Sequence, residues 1–418
     1  MKVLFTTQPG VGHFNPLAPI AHALEAAGHT TRVACAASFA PRVERAGLTP
    51  LIAGIDWLET SPELAFPEVE EMTTRERELF LTDIFSDTTA NYMTHDLLES
   101  FADWRPDVIV RDTFEYGGCL AGEVAGIPHA VVNMEFYIPS HVTRQGMESQ
   151  LAYLRSAYGL PPYPAMEMLT RYLYFSYVPN SYQFPEYTLP ENTHVLRPAF
   201  LDPSGDEVLP DWVATLPDQP TVYASMGTTF NNVPDIFRTI IAGLADEPVN
   251  LIITVGRSQD PRQFDPLPEH VYVEQFIPQA ALMPYCDLVM ANGGVGTLMI
   301  ALTYDLPLIV IPLAGHLLLH AQRVRQLGIG QSLKLPPAWL DVGDAANVDN
   351  YVARQASGLV HDTAPELSPE TVRSVVREVL EAASYKEEVE RLRQEIVRMP
   401  GPESAVPLLE QLGTRSEG

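Results

Sequence analysis

The sequence predicts an α/β protein built from two doubly wound parallel-sheet domains, on three observations. Residues 3–7 and 31–36 are apolar runs separated by a loop and a helical stretch, the strand–loop–helix–strand order that opens a parallel sheet. Residues 288–291 are a short apolar run of the kind buried in parallel sheets. They lead directly into the Gly-rich turn Asn292-Gly293-Gly294-Val295-Gly296-Thr297 and a helical stretch over 297–303. Between these landmarks, residues 201–220 contain Asp202-Pro203-Ser204-Gly205-Asp206 and then Pro210, Pro217 and Pro220, the chemistry of an interdomain linker.

Taken in order, Gln8 to His13 is the loop after the first strand. Pro16 suits the first turn of a helix running to Ala27, where its missing N–H costs nothing, and Gly28 suits the C-terminal cap. Residues 73–101 carry long helical periodicity with charge on one side. A strand over 106–112 ends in the carboxylate of Asp112, a helix follows over 115–125, and a further strand over 127–132. Residues 133–187 are rich in aromatics and Met, read either as core or as the wall of an apolar pocket. The second half repeats this logic. A strand at 221–225 meets the turn Ser225-Met226-Gly227-Thr228 and a helix near 233–245, and strands follow at 249–255, 271–274, 288–291 and 308–311. Residues 370–397 read as one or two amphipathic helices with paired charges. Met399-Pro400-Gly401-Pro402 breaks them, and 403–412 is helical again. The expected division is a first domain over 1–205, a linker over 206–220, a second domain over 221–398, and a tail from about 399 to 418.

Composition narrows the function. With 418 residues, 46% hydrophobic and 19% charged, the chain can bury two globular cores. Acidic residues number 53 against 26 basic, a formal charge of −27, which repels nucleic acid and anionic membranes as partners. A small anionic ligand would be repelled at long range too, so any site for one must rest on local backbone dipoles. Cys35, Cys119 and Cys286 are far apart without metal-ligand spacing and read as buried free thiols. No leader-like segment precedes the first strand and no apolar run is long enough to cross a bilayer, so a cytoplasmic protein, monomer or homodimer, is expected.

Two places carry chemistry. The Gly-rich turn after 288–291 joins a strand to a helix N-terminus, where backbone N–H groups and the helix dipole favour an anion; a tight turn without ligand has the same sequence. His13 lies on the loop at the carboxyl end of the first strand, where open α/β sheets place ligands, and an imidazole suits general-base work. Taken alone, a loop histidine is more often a solvated or helix-capping residue. Asp112 ends its strand on the same sheet edge and reads either as the partner that orients an imidazole or as a cap of the following helix.

Together these elements resemble bacterial natural-product glycosyltransferases of the UDP-glycosyltransferase-like family, with GT-B architecture. Gly12-His13-Phe14-Asn15-Pro16 is similar to the family's opening Gly-His-x-x-Pro, and Gly28-His29 to its Gly-His after the first helix. Ser225-Met226-Gly227-Thr228 is similar to its Ser-x-Gly-Thr element, and Phe276-Ile277-Pro278-Gln279 stands where it has a Val-Pro-Gln-like element. The turn Asn292–Thr297 resembles its His-Gly-Gly-x-Gly-Thr.

The resemblance implies two Rossmann-like domains facing across a cleft, with the C-terminal tail packing back on the first. It also implies inverting, metal-independent transfer of a sugar from a nucleoside diphosphate to a small hydrophobic natural product, by attack of oxygen or of a ring carbon. His13 would be the general base and Asp112 its partner. Ser225, Gly227, Thr228, Asn292, Gly293, Gly294, Gly296 and Thr297 would hold the pyrophosphate. Phe276 and the backbone of Ile277 would meet the base, Gln279 the ribose, and His316 the donor sugar. Phe14, Trp57, Phe85, Phe136 and Tyr137 would face the acceptor. No cofactor and no metal are implied, in keeping with the lack of an Asp-x-Asp pair in a suitable context.

The chain departs from the family at the donor. Asn292 stands where the family has His, Ile300 where UDP-sugar enzymes have a ribose-binding Glu, and His316-Leu317 where an Asp-Gln pair grips sugar hydroxyls. An uncharged Asn and two apolar side chains imply a dTDP-linked deoxysugar, with UDP-glucose a poor donor. The same losses fit a transferase-like pathway partner without donor chemistry, and a nucleotide-sugar epimerase shares the architecture. A dinucleotide oxidoreductase is opposed because neither turn reads Gly-x-Gly-x-x-Gly. His316 and His320 have metal-ligand spacing, but no Glu follows the first and no third ligand is evident.

Overall fold

In a computed structural model of the chain, the described residues are 1–57, 84–139, 145–199, 208–227, 233–256, 259–313, 315–336 and 363–414. The chain forms two compact Rossmann-like units, Met1–Gly205 with Arg398–Gly418, and Asp206–Val397.

In the first unit seven parallel strands form one sheet: β1 (Lys2–Thr6), β2 (Thr30–Cys35), β3 (Pro50–Ile52), β4 (Val108–Asp112), β5 (His129–Asn133), β6 (Leu173–Ser176) and β7 (Thr193–Val195). The spatial order is β3-β2-β1-β4-β5-β6-β7. The chain winds outward from β1 in one direction and from β4 in the other, so the crevice at the carboxyl ends of β1 and β4 is the topological switch point, where such sheets bind ligands. Val3, Phe5, Val108 and Val110 are fully buried on one face of the sheet, and Leu4 and Ile109 on the other. Continuous apolar runs make such two-sided burial possible.

In the second unit six parallel strands, β8 (Thr221–Ser225), β9 (Asn250–Thr254), β10 (Val271–Glu274), β11 (Leu288–Ala291), β12 (Leu308–Val310) and β13 (Gly330–Ser332), lie in the order β10-β9-β8-β11-β12-β13. Here the switch point lies between β8 and β11, whose last residues, Ser225 and Ala291, are paired in register.

Sequence and structure differ where signals are short or compete. β3, β6, β7 and β13, three or four residues each, are too short for a periodicity to register. The helix expected from Pro16 to Ala27 is Ala18–Ala26, and the loop expected over Gln8 to His13 runs into a one-turn helix, Val11–Phe14. The helix after β11 begins at Val295, with Gly294, at φ −59° and ψ 122° outside helical conformation, as its N-cap. Within the 73–101 expectation, the described part is a π-helical turn, Ile84–Thr88, followed by an α-helix, Thr89–Ser100; residues 73–83 lie outside the described residues. The proline-rich stretch holds a 3-10 turn, Asp211–Thr215, whose Trp212 ring stacks on Tyr272 of β10 with centroids 4.4 Å apart.

The final helix, Ala405–Thr414, buries Ala405, Val406, Leu409 and Leu412 in the same core as Val3, Phe5, Leu24 and Val108. His29 meets Glu410 across this packing at 2.9 Å. The three cysteines are buried and free, and burial pushes each thiol up to about 12. No helix among the described residues is long and apolar enough to cross a membrane.

Candidate active site

At the first switch point, β1 and β4 are neighbours and Thr6 pairs with Arg111. His13, in the Val11–Phe14 turn after β1, and Asp112, the last residue of β4, therefore project from adjacent strand ends. His13 Nδ1 lies 2.7 Å from Asp112 Oδ2, with side-chain exposures of 20% and 8%. The Phe114 ring meets the imidazole edge-on, with centroids 5.8 Å apart. Burial works against charge on His13, but the Asp112 carboxylate, by its charge and its hydrogen bond, and Glu135 more distantly, hold its pKa above the ordinary histidine value. Nδ1 is thus tied to a carboxylate, which orients the ring and stabilises the imidazolium formed when Nε2 takes a proton.

Arg111, absent from the sequence reading, explains how Asp112 is held. It is 1% exposed. One guanidinium nitrogen donates to the carbonyls of Asp112 and Thr113, each at 3.1 Å, and of Glu115 at 3.3 Å, and the other to that of Leu169 at 2.5 Å. Thr113 Oγ1 ties the same turn to the Val132 carbonyl at 2.9 Å. Glu115 is buried beneath the turn and accepts from Thr6 Oγ1 and from the Gly117 and Gly118 N–H groups at 2.6 and 2.9 Å, at the start of the helix Gly117–Ala125. Burial pushes its carboxyl up, against those hydrogen bonds and the charge of Arg111. Two charged residues in the run Val-Ile-Val-Arg-Asp, otherwise apolar, were the available signal.

The acceptor expectations divide. Phe14 packs edge-on against Phe39 in the core, Trp57 donates its Nε1–H to Gln8 Oε1 at 3.0 Å, and Phe136 stacks on Tyr182 with centroids 5.3 Å apart; all three are buried. Tyr137 is half-buried, its ring edge-on to Tyr174. The side chains of Phe85 and His316, and all of Thr228, lie outside the described residues.

At the second switch point, Ser225 ends β8 and Asn292 follows β11. Gly227 has φ +81°, and a Cβ there would lie 2.9 Å from Asn292 Nδ2, so the two turns meet closely enough to require a glycine. Gly293 has φ +99°, a conformation side chains rarely adopt, and passes the Leu317 carbonyl closely; a Cβ there would sit 3.1 Å from it. Asn292 Oδ1 accepts from the Gly294 N–H at 2.9 Å, closing the turn ahead of the helix Val295–Thr303. Gln279 and Thr297 are linked to one another at 3.4 Å. Ile300 and Leu317 are buried. Beside this turn, Phe276 and Pro278 line an open pocket of about 620 Å³ with Val208, Pro261 and Arg262; Ile277 points its side chain into the core. His320 is buried. Among the described residues no three His, Cys, Asp or Glu side chains are grouped to hold a metal ion.

Residues 22–227 match the N-terminal domain, and residues 238–350 the C-terminal domain, of the family described as erythromycin biosynthesis protein CIII-like. The chain is 28% identical to 4'-demethylrebeccamycin synthase of Lentzea aerocolonigenes, over 98% of its own length and 99% of the relative's. It is 27% identical to the aclacinomycin-T 2-deoxy-L-fucose transferase of Streptomyces galilaeus, over 99% and 96%. Its fold is similar to the crystal structure of the glycosyltransferase VinC in complex with dTDP, with a TM-score of 0.72 at 22% identity, covering 99% of this chain and 100% of that one.

Proposed function

Since the chain belongs to the erythromycin biosynthesis protein CIII-like family of GT-B glycosyltransferases, which use nucleoside diphosphate sugars in natural-product pathways, we propose that it transfers a deoxysugar from dTDP to a hydroxyl of a small hydrophobic acceptor, with inversion. The observation that carries the reading is the His13–Asp112 pair, 2.7 Å apart at the switch point of the first unit.

His13 Nε2 takes the acceptor proton as its oxygen attacks the anomeric carbon. The bond from that carbon to the diphosphate breaks on the opposite face, and the electron pair leaves with dTDP. Asp112 balances the charge gained by His13. The leaving diphosphate is stabilised by N–H groups at the start of the helix Val295–Thr303 and by Ser225. Phe276 and the Ile277 backbone meet the base, and half-buried Tyr137 contacts the acceptor. Buried Ile300 and Leu317 offer no groups to ribose or sugar hydroxyls, which supports a deoxy donor. The dTDP bound to VinC and the 2-deoxy-L-fucose moved by the Streptomyces galilaeus relative are in keeping with this choice.

The test is a donor panel of dTDP-deoxysugars and UDP-glucose, run in reverse from glycosylated acceptors where forward turnover fails, with the anomeric configuration of the product read by NMR. Turnover with dTDP-deoxysugars and inverted product is expected. Efficient use of UDP-glucose, or retention of configuration, refutes the reading.

A further inference from the structure

One phenol joins the three segments assigned to the donor. Tyr223, in the middle of β8, is 0% exposed. Its hydroxyl lies 2.7 Å from Thr254 Oγ1, at the end of β9, and accepts from Gln279 Nε2 at 3.1 Å. Ser225 lies two residues along the same strand, at its end. Ser225 Oγ in turn accepts from the Gly227 N–H at 3.5 Å. The other end of the Gln279 amide, Oε1, accepts from Thr297 Oγ1 in the first turn of Val295–Thr303. The segment carrying Phe276 to Gln279 and, through Gln279, the helix N-terminus after β11 are thus tied to the Tyr223 hydroxyl, two residues before the turn that follows β8.

From this geometry we infer that Tyr223 is a positioning residue for donor binding, acting with Gln279 as a strut that holds the N-terminus of Val295–Thr303 in register with the Ser225–Gly227 turn. The inference rests on the donor-site reading above and assigns Gln279 a different task from ribose contact. Both polar atoms of its amide are engaged inside the protein, one at each end of the strut. The phenol keeps its proton, because burial opposes ionisation, so it donates one hydrogen bond while accepting from Gln279. Removing the hydroxyl leaves Gln279 Nε2 without that acceptor and frees the helix end from β8. An anion held by several N–H groups at once is sensitive to small displacements of that end.

The strut is tested with Tyr223→Phe, Gln279→Leu and the double variant, comparing thermal unfolding, calorimetric dTDP affinity and steady-state rates. Tyr223→Phe is expected to weaken dTDP binding about threefold to tenfold, as for a lost neutral hydrogen bond. Donor KM should rise while the acceptor KM stays put, with the fold intact. Gln279→Leu should behave alike, and the double variant should be no weaker than the worse single one, because both remove the same strut. The ratio of dUDP to UDP affinity should be unaltered by Gln279→Leu. Unchanged dTDP affinity in Tyr223→Phe, losses that multiply in the double variant, or a shifted dUDP to UDP ratio overturns the strut. Wild-type protein that binds no nucleoside diphosphate overturns instead the donor-site reading beneath it.

Discussion

Replacing Asp112 by Asn is the sharpest test of the proposed chemistry, because it keeps the shape of the site and removes one charge. The Asp112 side chain is 8% exposed, so little water can take over its role, and it lies 2.7 Å from His13 Nδ1. A hydrogen bond to a charged group contributes about 1.5–3 kcal/mol, and each ~1.4 kcal/mol is a factor of ten in rate. The Asn variant should therefore lose about tenfold to hundredfold in kcat, less than the roughly 10²–10⁴ expected for His13→Ala. The sign of the pH dependence follows from the direction of the His13 shift. The unprotonated imidazole is the active form and its pKa is raised, so activity climbs as pH rises through a value above the ordinary histidine range. Without the Asp112 charge the acid limb should move to lower pH while the plateau falls. Glu135→Gln should move the limb the same way by less, since Glu135 is the smallest of the contributions. The assay is kcat and kcat/KM against pH for each variant, with product measured by chromatography. An acid limb that stays where wild type has it would refute the dyad. So would a His13→Ala, Asp112→Asn double variant that loses the full product of the two single losses, since residues acting as a unit are far from additive.

Two further outcomes follow from the packing. Gly227→Ala places a side chain at φ +81° and 2.9 Å from Asn292 Nδ2; dTDP binding should fall at least tenfold and the second unit should lose about 1–3 kcal/mol by denaturant titration, whereas wild-type affinity would show that the two turns can part freely. Glu123, flanked by Arg171 at 2.9 Å, Arg155 at 3.5 Å and His129 at 3.5 Å, leaves buried Arg155 without its carboxylate when changed to Gln. A loss of about 3 kcal/mol in urea unfolding is expected. Burial favours the neutral acid, but His129, Arg171 and Arg155 together hold the Glu123 carboxyl below its ordinary value. Its stabilisation is therefore present above the unfolded-state value and lost as pH falls through the lower folded value, so wild type and variant should converge in acid. A constant gap between them down to acid unfolding would contradict the assignment.

Much of the fold is legible in the sequence because its central strands are buried on both faces. Residues 271–274 and 288–291 are recovered to the residue, and β1, β4, β8 and β11 each hold at least three consecutive apolar residues. The three-residue edge strands β3, β7 and β13 are not, since a run such as Pro50–Ile52 holds no period to detect. The His13–Asp112 pair is legible because Asp112 ends β4 and His13 lies on the segment that follows β1, and adjacent parallel strands bring such ends together. What holds the pair is less legible. Arg111 spends its donors on backbone carbonyls, and nothing in a sequence shows which carbonyls a guanidinium will meet. Tyr223 is hidden for a related reason. In Thr221–Ser225 an aromatic reads as strand packing, and its hydroxyl acquires a role only when β9 and the segment from Phe276 to Gln279 close around it.

Asn292 shows how a departure from family pattern changes meaning once contacts are seen. As sequence it is the loss of a histidine from the diphosphate site, in a chain whose formal charge is already −27. In the structure its amide oxygen occupies the Gly294 N–H at 2.9 Å, and its nitrogen faces the space that a side chain at Gly227 would fill. The residue therefore ties one glycine turn closed and packs it against the other. On the proposed reading, a donor phosphate that uses the Gly294 N–H displaces an amide oxygen rather than filling an empty position. The exchange replaces a neutral hydrogen bond of about 0.5–1.5 kcal/mol by a charge-assisted one of about 1.5–3 kcal/mol, so this N–H adds only about 1 kcal/mol to diphosphate affinity. A histidine cation in its place would add attraction across the whole diphosphate. Donor affinity in this chain must then lean on the base pocket at Phe276 and on the geometry of the helix N-terminus. That dependence is why a single buried, uncharged phenol should weigh measurably on dTDP binding.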